Sequence, residues 1–303
     1  MGSNELIAEL DAKYGIRGVA RVVAGNGGLP KVAVAAAAAA GEMYLLGAEV
    51  TSWKPLGREE ALFVSAASKW EDGRAIRGGV PVCFPWFGAK AGDPKAPAHG
   101  FVRAKAWRLD SVVQKGDAVT VSMSTTSDQE TRKLWPAEFR LVHHATFGAE
   151  LTMELEMTNT GTEALRFEEA LHTYFHVGDI TKTRVRGLDG IHYLDKTDAN
   201  REKTQQGEVL IAKETDSVYL DTANTAEIED PELRRRIRVS KENSLATVVW
   251  NPWIEKTKAI SDLADDDWKQ MVCVETCNAG KHAVSLAAGA QHRMKAVIRV
   301  SNL

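Results

Sequence analysis

From Leu151 to Thr158 the chain alternates without a fault. Leu151, Met153, Leu155 and Met157 are apolar, and Thr152, Glu154, Glu156 and Thr158 are polar. Successive side chains of a strand point to opposite faces, so this period of two demands a strand with one buried face. A helix would repeat its apolar positions every three to four residues. The same period runs through Asp117–Thr125 and returns at the end of the chain, where Met294, Ala296, Ile298 and Val300 alternate with Arg293, Lys295, Val297 and Arg299. Turn residues separate the runs. Asn159-Thr160-Gly161 reads as a hairpin turn into a strand over 165–177. Arg236–Val239 and Ala246–Trp250 flank Lys241-Glu242-Asn243-Ser244, and Ala283–Ala287 precedes Ala288-Gly289-Ala290.

Few segments compete with this pattern. Residues 4–14 form an amphipathic helix with Leu6, Ile7, Leu10 and Tyr14 near one face, capped by Ser3 or Asn4. The alanines of Val32–Ala40 favour helix, but Glu42–Trp53 reads as strand, turn, strand, and we assign part of the alanine run to a small-residue strand. Many short strands, few short helices and no strand–helix alternation point to an all-β fold, a large antiparallel β-sandwich. No linker or repeat divides the chain, so residues 1–303 are expected to form one domain, with a short N-terminal helix within residues 1–15.

Composition narrows the function classes. A net charge of -3 gives no reason to expect a nucleic-acid or anionic-membrane partner. The longest apolar stretch, Val32–Ala40, is too short to span a bilayer, and the N-terminus has no basic segment leading into an apolar one. Three cysteines, Cys83, Cys273 and Cys277, suit free thiols in a reducing compartment. Cys273 and Cys277 lack a second cysteine pair, which argues against a zinc site. A cytoplasmic protein is expected.

Four segments carry candidate chemistry. Between Phe167 and Val177 the strand period separates a mostly apolar face (Phe167, Glu169, Leu171, Thr173, Phe175, Val177) from a polar one (Glu168, Ala170, His172, Tyr174, His176). That second face suits a polar cleft or, equally, a solvated edge. Arg77 precedes Gly78-Gly79, where a guanidinium could grip an anion or simply sit in solvent beside a tight turn. His99 and Arg103 lie four residues apart around Gly100. Glu275 interrupts the apolar run Met271–Cys277, on the same face as Met271 and Cys273. A buried, unpaired carboxylate is costly, so Glu275 either faces solvent or is a desolvated base with a raised pKa. Other signals are weaker. Asp262, Asp265, Asp266 and Asp267 do not have the spacing of a calcium loop and read as a solvated acidic loop. His143 and His144 point to opposite faces of one strand. Trp250-Asn251-Pro252-Trp253 reads as core plus a turn. No phosphate-loop or serine-nucleophile motif is present.

Taken together these segments resemble the hexose-6-phosphate mutarotases, or glucose-6-phosphate 1-epimerases, of the aldose 1-epimerase superfamily. The resemblance rests on Ile76-Arg77-Gly78-Gly79-Val80-Pro81, Phe84-Pro85-Trp86-Phe87-Gly88 and His99-Gly100-Phe101-Val102-Arg103 before Trp107. It continues in Lys133-Leu134-Trp135-Pro136, Leu171-His172-Thr173-Tyr174-Phe175, Glu214–Tyr219, Val249–Lys256 and Val272–Glu275. It implies a galactose-mutarotase-type sandwich that interconverts the anomers of a hexose 6-phosphate with no cofactor and no metal. By motif position His172 matches the general acid and Glu275 the general base. Arg77 and Arg103 match residues that hold the sugar phosphate, and His99 and Asp216 match other substrate contacts. The implied partner is a small sugar phosphate, with no nucleic acid and no membrane, and a monomer is expected. Two alternatives stand beside this reading: an epimerase of unphosphorylated hexoses, and a carbohydrate-binding sandwich without catalysis.

Overall fold

The structure is a computed structural model and describes residues 2–303. It confirms a mostly antiparallel β architecture: 23 strands against three α-helices among the described residues. The helices, Ser3–Tyr14, Gln129–Leu134 and Trp253–Ala259, are short, and none is long and apolar enough to cross a membrane. The Val32–Ala40 region resolves into two strands, Pro30–Ala35 and Ala39–Tyr44, of a four-stranded sheet.

Two large sheets make the body. A nine-stranded sheet is centred on Arg235–Glu242, Gln291–Asn302, Leu151–Asn159 and Phe139–Phe147. An eight-stranded sheet is centred on Thr215–Leu220, Ala246–Asn251 and Met271–Asn278, with the short strands Glu169–Leu171 and Tyr174–His176 both paired to Met271–Asn278. Alternation decides what lies between them. Leu151, Met153, Leu155 and Met157 from one sheet share a buried cluster with Leu171, Phe175, Val249, Val272 and Val274 from the other. The opposite face of the eight-stranded sheet is also covered. Ala170, Tyr174, Val248, Trp250, Cys273 and Cys277 form a second cluster there. A strand buried on both faces has no polar side to spare for solvent, and every residue of Met271–Asn278 is buried.

Three expected hairpins are not hairpins. Asn159-Thr160-Gly161 does follow the end of a strand, but Leu165–Phe167 pairs with Val284–Leu286 rather than with Leu151–Asn159. Likewise Arg235–Glu242 and Ala246–Asn251 lie in different large sheets, and Val284–Leu286 does not pair with Gln291–Asn302. A turn signal reports that the chain reverses, whereas pairing is settled by which edges bury apolar surface. The expected single strand over 165–177 is three: Leu165–Phe167, Glu169–Leu171 and Tyr174–His176. Glu169, on the apolar face, is fully buried, and one of its carboxylate oxygens is paired. Its Oε1 accepts a bond from Asn278 Nδ2 at 2.9 Å and lies 2.7 Å from His292 Nε2. This cluster ties the break in the strand to both large sheets.

His143 and His144 do point to opposite faces. His143 is fully buried, with Nδ1 2.9 Å from the Ala48 carbonyl, while His144 Nδ1 lies 2.7 Å from Ser122 Oγ. Burial pushes the His143 pKa down from 6.5 to about 4. The unfolded chain therefore binds this proton more tightly than the folded one. The stability involved is complete above about pH 6.5 and is lost as pH falls from there toward about 4. Acidification from about pH 7 to 5 should cost roughly 2 kcal/mol through His143. His143→Gln should lose less stability over that interval than the wild type by this amount, measured by urea unfolding of both proteins at both pH values.

Candidate active site

The cleft is built on the second face of the eight-stranded sheet. Register places Tyr174 opposite Cys273, Cys273 opposite Trp250 and Trp250 opposite Asp216, one row of side chains across four neighbouring strands. Glu275 and Val248 form the next row. His172 lies at the break between Glu169–Leu171 and Tyr174–His176, where its backbone N–H bonds the Pro81 carbonyl at 3.0 Å. Above this floor stand Arg77, the Phe87–Ala89 and Ala98–Arg103 loops, Lys196 and Lys256, enclosing a cleft of about 340 Å³. All six residues singled out in the sequence, Arg77, His99, Arg103, His172, Asp216 and Glu275, line it.

His172 and Glu275 meet directly. His172 Nε2 is 3.4 Å from Glu275 Oε1, and both side chains are almost wholly buried. Glu275 comes from Met271–Asn278 and His172 from the break between the two short strands paired with it, and both form part of a single floor. The strand carrying Glu275 is not a wall facing His172: pairing of Tyr174–His176 and Glu169–Leu171 with Met271–Asn278 sets the two side by side. His172 stacks on Tyr174 at 4.9 Å between ring centroids. Burial, then His99, Arg103 and Arg77, hold its pKa well below the ordinary value. Burial, then Asp216, pushes the Glu275 carboxyl well up. This is the desolvated carboxyl, not the solvent-facing one. Burial also raises Asp216, with Lys196 and Lys256 opposing.

Arg77 is held in place. Its Nε and Nη2 donate to Asp262 Oδ1 and Oδ2 at 3.0 and 3.3 Å, and its Nη1 donates to the Tyr174 hydroxyl at 3.1 Å. Asp262 is thus no solvated acid but the carboxylate that orients a guanidinium. Sequence reading missed it because the partners are 185 residues apart. Arg103 Nη2 donates to the Ala98 carbonyl at 2.9 Å. Behind both arginines lies Glu49, fully buried, its carboxyl raised by burial against the pull of Arg103 and Arg77. Lys196, exposed over the Phe87 ring at 5.1 Å, carried no signal in the sequence. Trp250, read as core, is core and cleft floor at once. His176, on the same expected face as His172, does not line the cleft.

His99 has φ +63°, unusual for a residue with a side chain. The Gly88 N–H donates to His99 Nδ1 at 3.3 Å, so Nε2 carries the ring proton. Burial, then Arg103, Lys196 and Arg77, lowers its pKa to about 3, leaving it a neutral donor. The glycine that follows makes this possible. Gly100 has φ +74°, and a Cβ there would sit 1.8 Å from the Phe84 carbonyl oxygen. Gly78, beside Arg77, is needed for the same reason: at φ +119° its Cβ would meet Val64 Cα at 2.4 Å. The glycines thus approach the protein's own backbone. Gly100→Ala should cost about 3 kcal/mol or more and lower Tm by several degrees. Gly92→Ala, at φ +75° with open space around the Cβ, should cost clearly less. Calorimetric melting of the two variants separates backbone strain from the clash.

One trio has the donor chemistry for a metal. The donor atoms of His172, Cys273 and Glu275, all buried, lie within 4.8 Å of one another.

The aldose 1-epimerase family model matches residues 33–299, a span that contains every cleft residue named above. A protein of Escherichia coli (strain K12) named provisionally as a glucose-6-phosphate 1-epimerase is 41% identical over 240 residues, 78% of this chain and 79% of that one. A protein of Cenchrus ciliaris with the same provisional name is 35% identical over 285 residues, 90% of this chain and 85% of that one. A crystal structure of a protein named provisionally as the mutarotase YeaD, from Salmonella typhimurium, matches with a TM-score of 0.89 at 32% identity, over 96% of each chain. This chain belongs to the aldose 1-epimerase family.

Proposed function

We propose that the protein interconverts the α and β anomers of a hexose 6-phosphate, with glucose 6-phosphate as the substrate, by acid–base ring opening and closure. The observation that carries the reading is the 3.4 Å contact between His172 and Glu275 on the floor of a cleft that Arg77 and Arg103 also line. Anomer exchange requires one proton to leave O1 and one to reach the ring oxygen. Both oxygens are bonded to C1, so an acid and a base side by side at one end of the sugar serve both.

In the forward direction Glu275 takes the O1 proton as the C1–O1 bond becomes a carbonyl. The C1–O5 bond breaks and His172 protonates O5. Rotation about C1–C2 turns the other face of the aldehyde to O5. On closure O5 attacks C1, His172 recovers the O5 proton, and Glu275 returns a proton to O1. Burial pushes Glu275 upward from the ordinary carboxyl range, the direction a general base at neutral pH needs. Transfer of one proton across the contact from Glu275 to His172 produces the charged pair that starts the reaction. A phosphate dianion on Arg77 and Arg103 favours that transfer, since both cations oppose a charge on His172.

The arginines supply charge-assisted contacts to the phosphate, remote from the reacting carbon, and that binding energy orients C1. Asp262 and Tyr174 hold Arg77 for this role. His99 Nε2–H and Asp216 offer a donor and an acceptor to ring hydroxyls, and Trp250 closes the floor.

The test is anomer-exchange NMR with glucose 6-phosphate and glucose side by side. Acceleration of glucose 6-phosphate, and weakly or not at all of glucose, is the expected result; no acceleration of either leaves a binding module. Glu275→Gln should fold as the wild type does and lose roughly 10²–10⁴-fold in kcat. Substantial retained exchange removes Glu275 as the base. Arg77→Ala or Arg103→Ala should raise KM for glucose 6-phosphate about 10- to 100-fold, as loss of a charge-assisted hydrogen bond does. Steady-state comparison of the two sugars checks this, and equal losses for both remove the phosphate assignment.

A further inference from the structure

The mechanism above has no use for Cys273, yet its thiol, fully buried beneath the cleft floor, lies close to both reacting groups. Cys273 and Glu275 are two residues apart on one strand and so share a face, and His172 projects from the adjoining segment. The three donor atoms lie within 4.8 Å of one another, and the His172–Glu275 edge is already 3.4 Å. Two ligands of a tetrahedral zinc ion are separated by about 3.3–3.7 Å, given bond lengths of roughly 2.0–2.3 Å. Closing this triangle therefore needs side-chain shifts of about an ångström on the thiol side. A second observation points the same way. Glu275 Oε2 is buried without a hydrogen-bond partner among the described residues, although the residue is only 1% exposed. A buried carboxylate oxygen with no donor is a ready ligand.

We propose that His172, Cys273 and Glu275 form an inhibitory site for a thiophilic divalent cation, zinc above all, with the fourth position open to the cleft. Thiolate, imidazole and carboxylate together select zinc over magnesium or calcium, which prefer oxygen alone. On binding, the Cys273 S–H and Glu275 O–H bonds break, both protons pass to solvent, and the sulfur lone pair forms the Zn–S bond. Glu275 enters as carboxylate and His172 through the Nε2 lone pair. Asp216, next along the floor, favours the added charge, and Arg103 and Lys196 oppose it. The ion occupies the lone pairs that would accept the O1 proton and carry the proton to O5, so it stops turnover without touching the phosphate-binding arginines. The inhibition rests on the catalytic reading of His172 and Glu275; the binding does not.

The experiment has two independent readouts on the full chain. In the first, cobalt(II) replaces zinc as a spectroscopic probe. The wild type should show a thiolate-to-cobalt charge-transfer band, and zinc should displace it with a stoichiometry of about one per chain by calorimetry. Cys277→Ala should keep the band and Cys273→Ala should lose it, with Cys273→Ser as the substitute if alanine impairs folding. In the second, zinc in a metal buffer should suppress glucose 6-phosphate anomer exchange, and EDTA should restore it. Cys273→Ala should turn over normally without zinc and need about tenfold more zinc, or higher, for half-inhibition. Absence of the cobalt band, its loss in Cys277→Ala rather than Cys273→Ala, or equal zinc sensitivity in wild type and Cys273→Ala overturns the site. A wild type that shows the band but accelerates no anomer exchange overturns the catalytic reading and leaves the metal site standing.

Discussion

The antiparallel pairing of Met271–Asn278 with its two neighbours is the constraint on which the site depends. On one side it carries Ala246–Asn251, and on the other Glu169–Leu171 and Tyr174–His176. Being central, the strand has its backbone groups engaged in ladders and both faces covered. One face delivers Val272 and Val274 to the main core, and the other places Cys273 in the second buried cluster and presents Glu275 to the cleft. A slip of one residue would exchange the two sets and destroy core and site together, so the register is strongly specified. The rigidity that fixes His172 against Glu275 is therefore the same rigidity that packs the sheets.

That placement carries an energetic conflict. A carboxyl and an imidazole are desolvated on the floor of a cleft, against the natural preference of both for water. The fold tolerates this because the conflict is local. The opposite face of the same strands is mostly apolar, and where it carries Glu169 one carboxylate oxygen is held by Asn278 and His292. The arginines behave in the same manner. Arg77 keeps its charge in a mostly buried position through Asp262 and the Tyr174 hydroxyl, which also set the direction in which its free edge points. Burial thus raises the reactivity of the pair while neighbouring hydrogen bonds hold the pieces still, the arrangement that electrostatic preorganisation requires.

Legibility in the sequence followed the range of the interactions. Alternation over 151–158 and 293–300 was readable because a strand's two faces are a local property. That His172 and Glu275 each stand on a definite face of the chain was readable for the same reason, whereas alternation left open whether those faces met a cleft or solvent. Arg77, His99 and Arg103 stood out through the glycines beside them, although those glycines turn out to serve close approach of the backbone to itself. Asp262 was misread as a solvated acid, and Lys196 was not noticed, since nothing within a few residues of either marks its partner.

What the sequence by itself determined was the fold class, the division of the regular strands into two faces, and the short list of side chains able to do acid–base and anion chemistry. These follow from periodicity and residue type. What only the tertiary structure decided was pairing and proximity: that the turn after Asn159 starts no hairpin, that the strand from Leu165 breaks at His172, and that His172 lies beside Glu275 and not across from it. Those outcomes depend on which edges, distant in the chain, bury the most apolar surface against each other, and no local pattern records that competition.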